Sequence, residues 1–159
     1  MLIKGLTDED FVNYKRPSMV IATSKCDFKC DRDCGEGCCQ NSPLARTKSI
    51  SVSDDDIILR YMANDITSAI VFAGLEPFEQ FWEVFDFIKK LRNDYHCSDT
   101  VVIYTGFNKT EILQMVDALI PLGNIIIKFG RFVPHQEKKY DDVLGIYLAS
   151  PNQYAEVIC

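Results

Sequence analysis

Histidine is scarce: His96 and His135 are the only two among 159 residues, and neither lies near the clustered cysteines in sequence. Both are read as surface residues. Long hydrophobic runs are missing as well. No apolar stretch reaches the length of a membrane span, and no charged–apolar–small leader opens the chain. These absences predict a cytoplasmic protein. Positive charge is in the minority, with 17 Lys and Arg against 23 Asp and Glu, a net charge of −6 and a pI near 4.9. Such a balance argues against a nucleic-acid backbone as partner, because phosphate binding needs a basic surface.

Hydrophobic residues make up 47% and charged residues 25%, ordinary for a globular chain. The length suits one domain, 1–159, with a sizeable core. Seven cysteines are an odd count, and a reducing compartment disfavours disulfides, so clustered thiols point to metal or redox chemistry. Five of them, Cys26, Cys30, Cys34, Cys38 and Cys39, fall within fourteen residues of a Gly-containing loop. A single metal ion would use four thiolates. An iron–sulfur cube that keeps one iron open for chemistry would use three. Cys97 and Cys159 read as inert thiols, the latter without the rest of a prenylation box.

Residues 1–17 are mixed and polar, a lead-in with at most a short edge strand. The run 18–24 is a compact buried strand that passes straight into the cysteine loop, about 25–47, which shows no periodicity and is long enough to suggest function. Ser53 then caps a helix with Asp54, Asp55 and Asp56 in its first turn, where carboxylates offset the helix dipole. A second strand is expected at 66–73, centred on Ala69-Ile-Val-Phe72 and closed by Gly74-Leu75-Glu76-Pro77. From Phe78 to Leu91, Phe81, Trp82, Phe85, Ile88 and Leu91 recur at helical spacing, an apolar face for the core. A third strand, Thr100 to Tyr104, ends in Thr105-Gly106-Phe107. Asn108 and Glu111 form a capping box before a helix that stops at Pro121 and Gly123. A fourth strand, Ile125 to Phe129, ends at Gly130, and Leu144 to Ala149 is one more strand-like run.

Strands alternating with crossover-length helices predict an α/β fold with a mainly parallel sheet. The polar and glycine-marked segments follow the strands, and carboxyl ends of parallel strands are where such folds place ligands. Four segments therefore converge on one edge, with the cysteine loop after the first core strand.

The order of these motifs resembles the radical S-adenosylmethionine superfamily, and within it the small activating proteins of anaerobic ribonucleotide reductase. The resemblance rests on Cys26-x3-Cys30, on Cys39-Gln40-Asn41, on Gly74-Leu75-Glu76-Pro77 (similar to Gly-Gly-Glu-Pro), and on Tyr104-Thr105-Gly106-Phe107. Gly130-Arg131-Phe132 and Ser150-Pro-Asn152-Gln153 extend it towards the end of the chain. It implies a compact partial (β/α) barrel binding one 4Fe–4S cluster and S-adenosylmethionine. Reductive cleavage of that cofactor would give a 5′-deoxyadenosyl radical, used to form a glycyl radical on a partner such as anaerobic ribonucleotide reductase. Flavodoxin or ferredoxin would supply the electron. Cys26 and Cys30 would ligate the cluster. The family spacing puts the third cysteine at Asp33, so the third ligand is Cys34 by loop economy, or Cys39 by the Gln-Asn that follows it. Phe28 and Gln40, beside the cysteines, and Gly74, Leu75, Glu76, Thr105 and Lys128 at the strand ends would contact the cofactors, and no catalytic residue is implied beyond the cluster.

Two other classes stand beside this one. A structural zinc site could use four of the clustered thiolates, although zinc sites usually pair two short clips across a longer gap, and the second clip is missing here. A non-catalytic iron–sulfur electron carrier would close its cube with four cysteines. Each strand-end motif is ordinary alone: Gly-Leu-Glu-Pro is a common strand-to-helix turn, and Lys128 would more often be a solvated charge.

Overall fold

Four apolar runs rich in Ile and Val become four adjacent parallel strands, as their composition and spacing require. The computed structural model describes residues 1–35 and 37–159; Glu36, inside the cysteine loop, lies outside the described residues. In chain order the strands are β1 (Leu2–Asp10), β2 (Ser18–Thr23), β3 (Ile50–Ser51), β4 (Ala69–Gly74), β5 (Thr100–Tyr104), β6 (Ile125–Phe129), β7 (Lys139–Asp141), β8 (Ile146–Leu148) and β9 (Tyr154–Val157). The α-helices are α1 (Lys29–Cys34), α2 (Ser42–Ala45), α3 (Asp54–Met62), α4 (Phe81–Asn93) and α5 (Leu113–Leu119). A seven-stranded sheet runs β3-β1-β2-β4-β5-β6-β9, with β2, β4, β5 and β6 parallel and the flanking strands antiparallel. The fold is therefore mixed α/β, as expected.

The strands alternate between two apolar layers. Met19, Ile21, Ile70, Phe72, Val101, Ile103, Ile125 and Ile127 pack with α3, α4 and α5 in the larger one. The opposite face carries Ala69, Val71, Val102, Ile126 and Ala155, covered by Tyr14, Leu144 and Leu148 with half-buried Val143 and Ile146. No helix contributes to that second layer among the described residues. Helices on one face and a thin cover on the other leave room for a ligand on the thin side.

Local details follow the sequence in most places. Ser53 accepts a hydrogen bond from the Asp56 amide (3.2 Å) and caps α3. The acidic triplet does more than face the dipole: Asp54 pairs with the N-terminal ammonium (2.9 Å), and Asp55 takes Lys90 (2.8 Å) and Tyr95 (2.7 Å). The Asn108–Glu111 capping box is present, opening a 3-10 turn before α5. His96 and His135 are exposed.

Other expectations need correction. The lead-in holds a nine-residue strand, β1, which pairs along β2 through two irregularities. The cysteine loop contains α1 and α2, neither with a buried residue, so no apolar period marked them. Trp82 is 68% exposed rather than in the core, while Phe81, Ile88 and Leu91 are buried as read, and Phe87 joins them. The run from Leu144 supplies only β8, which leaves the main sheet and pairs with β7. The strand that does extend the sheet beside β6 is β9. Asp141 links the two, accepting from the amides of Leu144 and Ala155 (2.9 Å each). Among the described residues, no helix is long and apolar enough to cross a membrane.

Candidate metal centre

The end of β2 is locked to the end of β4 before the first cysteine appears. Thr23 donates to the Ala73 carbonyl (3.1 Å), the Glu76 amide donates to the Lys25 carbonyl (2.7 Å), and Gln80 takes both the amide and the hydroxyl of Ser24 (2.6 and 3.0 Å). Gln80 is buried and also donates to the Leu2 carbonyl (2.8 Å), which ties the loop entrance to the edge of the sheet. Phe28 has φ 54°, the left-handed turn that starts α1 and places Cys30 on a helix facing the strand ends.

The loop returns through Cys39, whose amide donates to the Asp31 carboxylate (2.7 Å). Two residues later, the Asn41 side chain donates to the Gly74 carbonyl. That contact gives the Cys39-Gln40-Asn41 motif a structural reason: the exit of the cysteine loop is fastened to the end of β4. Gly74 has φ 86°, and a Cβ there would lie 2.9 Å from the Ala22 backbone, so only glycine fits.

A cavity of ≈ 610 Å³ opens on the thin-covered face at the carboxyl ends of the parallel strands. Cys26, Cys30, Cys39, Gln40, Gly74, Leu75, Glu76, Thr105 and Lys128 all line it. Phe28 and Cys34 do not. Phe28 is half-buried beside Cys26, where its amide donates to the Cys26 sulfur (3.3 Å). Cys34 meets Cys38, the two being joined as a disulfide, and borders a smaller cavity of ≈ 280 Å³ that shares Cys30. The cavity exists because Ala22 and Ala73, paired in register, are small where other strand residues are large.

Glu76 is buried and fully used: it accepts from the Thr105 hydroxyl (2.7 Å), the Gly106 amide (2.8 Å) and the Phe78 amide (3.1 Å). Burial still pushes its carboxyl up to about 7 against these donors. Lys128 is also buried, its ammonium bonded to the Gly130 carbonyl (2.8 Å) and 6.0 Å from the Tyr104 ring centre. Burial brings it down to about 8, while the Glu76 and Cys30 charges pull the other way. Burial pushes the Cys26 thiol up to about 12, and the Glu79 and Glu76 carboxylates add to the effect. Cys30 is raised for the same first reason, opposed by the Phe132 amide and Arg131.

These thiols are poorly ionised alone and would give up their protons to a bound cation. The sulfurs of Cys26, Cys30 and Cys39 do not form a trio within 4.8 Å of one another among the described residues. One tetrahedral zinc would hold its sulfurs about 3.8 Å apart, from Zn–S bonds of ~2.3 Å. Gly106 lies beside Cys30: a Cβ on it would stand in ordinary contact, 3.6 Å from the sulfur. Three thiols around one cavity, wider apart than one ion needs and with backbone amides on two of them, suit a cluster better than a mononuclear ion.

Several residues of the site entered the sequence reading only as members of motifs, with no role of their own. Phe132 was visible only as part of a turn motif, yet its amide meets Cys30. Gln153 is buried and clasps the β6 turn, donating to the Gly130 carbonyl (3.2 Å) and accepting from the amides of Ala149 and Ser150 (3.0 and 3.3 Å). Arg131 pairs with Glu111 (2.8 Å) and Asp33 (3.2 Å), holding α1 against the strand ends. The Ser150–Gln153 and Gly130–Phe132 motifs are thus two halves of one clasp.

No curated protein matches the chain. Residues 16–153, from just before β2 through the Gln153 clasp, match the 4Fe-4S single cluster domain family, and the chain belongs to that family.

Proposed function

We propose that this chain is a radical S-adenosylmethionine enzyme whose 4Fe–4S cluster is held by Cys26, Cys30 and Cys39. The observation that carries the reading is the meeting of these three thiols with the ends of β4, β5 and β6 around one cavity of ≈ 610 Å³. Three protein ligands leave the fourth corner of a cube for a substrate, the logic that separates open catalytic metal sites from closed structural ones. When bound, the cluster supplies the electron that cleaves S-adenosylmethionine into methionine and a 5′-deoxyadenosyl radical.

The chain's own part is to bind, orient and exclude water. Gly74-Leu75-Glu76 receives the ammonium group, with Glu76 held in place by its three donors. Lys128 pairs the carboxylate; it is a buried cation whose charge the low-dielectric wall disfavours until an anion arrives. Thr105 and Gly106 border the ribose, and Gln40 closes the side next to Cys39. Phe28 shields the cluster from behind Cys26. Val20, Ala22, Ala73 and Leu148 keep the wall apolar.

In this reading the sheet is the inner wall of a partial (β/α) barrel and the whole chain is one domain working in the cytoplasm. The radical is passed to a glycine of a separate enzyme, anaerobic ribonucleotide reductase or a relative, with flavodoxin or ferredoxin as reductant. Val12 and Tyr147, 70% and 68% exposed on the lining, leave the mouth accessible to a large partner.

The test is anaerobic turnover of the reconstituted, reduced protein with S-adenosylmethionine. Equal amounts of 5′-deoxyadenosine and methionine are expected, and Lys128→Ala should weaken cofactor affinity while iron content holds. An iron-loaded protein that makes no 5′-deoxyadenosine would leave an electron carrier in its place.

A further inference from the structure

Asp31, Cys34 and Cys38 stand outside the lining of the large cavity. α1 presents Asp31 and Cys34 three residues apart on one helical face. Gly35, at φ 74° with its amide on the Asp31 carbonyl (3.1 Å), turns the chain so that Cys38 comes back onto the same helix. The Cys38 sulfur approaches the Cys30 carbonyl (3.6 Å), and one ligand atom from each of Asp31, Cys34 and Cys38 lies within 4.8 Å of the others. Two of these atoms are the bonded sulfurs of Cys34 and Cys38, and the Asp31 carboxylate stands within reach of both, so opening the disulfide leaves three donors close enough to share one ion.

We propose that Asp31, Cys34 and Cys38, with the cysteines reduced, form a second, mononuclear metal site for a zinc-class divalent cation. Two thiolates with one carboxylate are a donor set that zinc accepts, and Cys34-x3-Cys38 is a short clip of the usual length. The site forms in two balanced steps. A thiol or phosphine reductant gives two electrons, and two protons are taken up, to open the Cys34–Cys38 disulfide. The cation then binds both sulfurs and releases those two protons. Three protein ligands leave one position for water.

The Asp31 carboxylate also receives the Cys39 amide (2.7 Å), so the ion and the third cavity thiol share one anchor. Because Asp31 holds the Cys39 amide whether or not an ion is present, Cys39 stays at the cavity when the second site is empty. The inference rests on the assignment of Cys26, Cys30 and Cys39 to the cluster, and the test separates the two.

Full-length protein is reconstituted anaerobically with iron and sulfide in a phosphine reductant, then titrated with zinc or with cobalt as a spectroscopic probe. Wild type is expected to hold one zinc beside its iron, and the cobalt form to show thiolate-to-metal charge transfer. Cys34→Ser/Cys38→Ser should lose zinc and the cobalt band and keep its iron. Asp31→Asn should weaken zinc by at least about tenfold. Cys30→Ala should lose iron and keep zinc. No zinc in the reduced wild type, zinc retained by the double variant, or iron lost with zinc in that variant would overturn the site. Zinc bound normally by a protein that takes no iron would instead overturn the proposed function and leave this site standing.

Discussion

Thr105→Val removes one hydroxyl and leaves the shape of the side chain nearly unchanged. That hydroxyl donates to Glu76 (2.7 Å) and accepts from the Phe107 amide (3.0 Å), and both Thr105 and Glu76 are buried. At pH 8, where Glu76 is ionised, losing a hydrogen bond to its charge costs about 2 kcal/mol, and a half-buried amide left without its partner adds about 1 kcal/mol. The expected loss is therefore about 3 kcal/mol, a drop of roughly 6–12 °C in melting temperature for a chain of this size. The loss should depend on pH, with a definite sign. The folded carboxyl of Glu76 is raised to about 7, so the folded state holds a proton that the unfolded state has released. Its contribution thus declines as pH rises from the ordinary carboxylate range towards 7. Valine takes away a donor that lowers this pKa, which extends the decline to higher pH. Urea melts of cluster-free protein at pH 5.5 and pH 8 should therefore show a wider gap between wild type and variant at pH 8. Thr105→Ser keeps the hydroxyl and should lose the pH-dependent part of the effect. A valine variant within about 0.5 kcal/mol of wild type at both pH values would refute the role given to this bond.

Gly74→Ala should cost roughly 2–5 kcal/mol, from left-handed strain and from a Cβ meeting the Ala22 backbone, and should lower iron uptake because the loop exit rests on that residue; a thermal melt and iron analysis check both. Asn41→Ala should cost about 1 kcal/mol and slow cluster assembly without changing final iron content, followed by absorbance during reconstitution. Cys26→Ala, Cys30→Ala and Cys39→Ala should each abolish stable cluster binding, whereas Cys97→Ser and Cys159→Ser, outside the cavity lining, should leave it unchanged.

The legible parts of the fold were those with strong apolar patterns. β4, β5 and β6 could be placed because both of their faces are largely buried, and β2 because one face is buried and the other half-buried, which demands near-continuous apolar runs. β9 was hidden because Tyr154–Val157 buries only Ala155, and β1 because Ile3 is its single buried residue. α1 was hidden by its lack of any buried residue, and Trp82 looked like core because periodicity cannot say which aromatic falls at the edge of the buried stripe. The strand-end motifs were legible as a set, and all of them border or brace one cavity. Which of Cys34 and Cys39 accompanies Cys26 and Cys30 was left open by spacing; in three dimensions Cys39 lines the cavity with them and Cys34 meets Cys38.

The central claim is an open iron–sulfur cluster that binds S-adenosylmethionine. It is tested most directly by iron, sulfide and zinc analysis of anaerobically reconstituted protein, followed by low-temperature EPR of the reduced form with and without the cofactor. The account predicts a four-iron cluster whose signal changes when S-adenosylmethionine is added. A cluster signal indifferent to the cofactor, or zinc in place of iron at Cys26, Cys30 and Cys39, would contradict it.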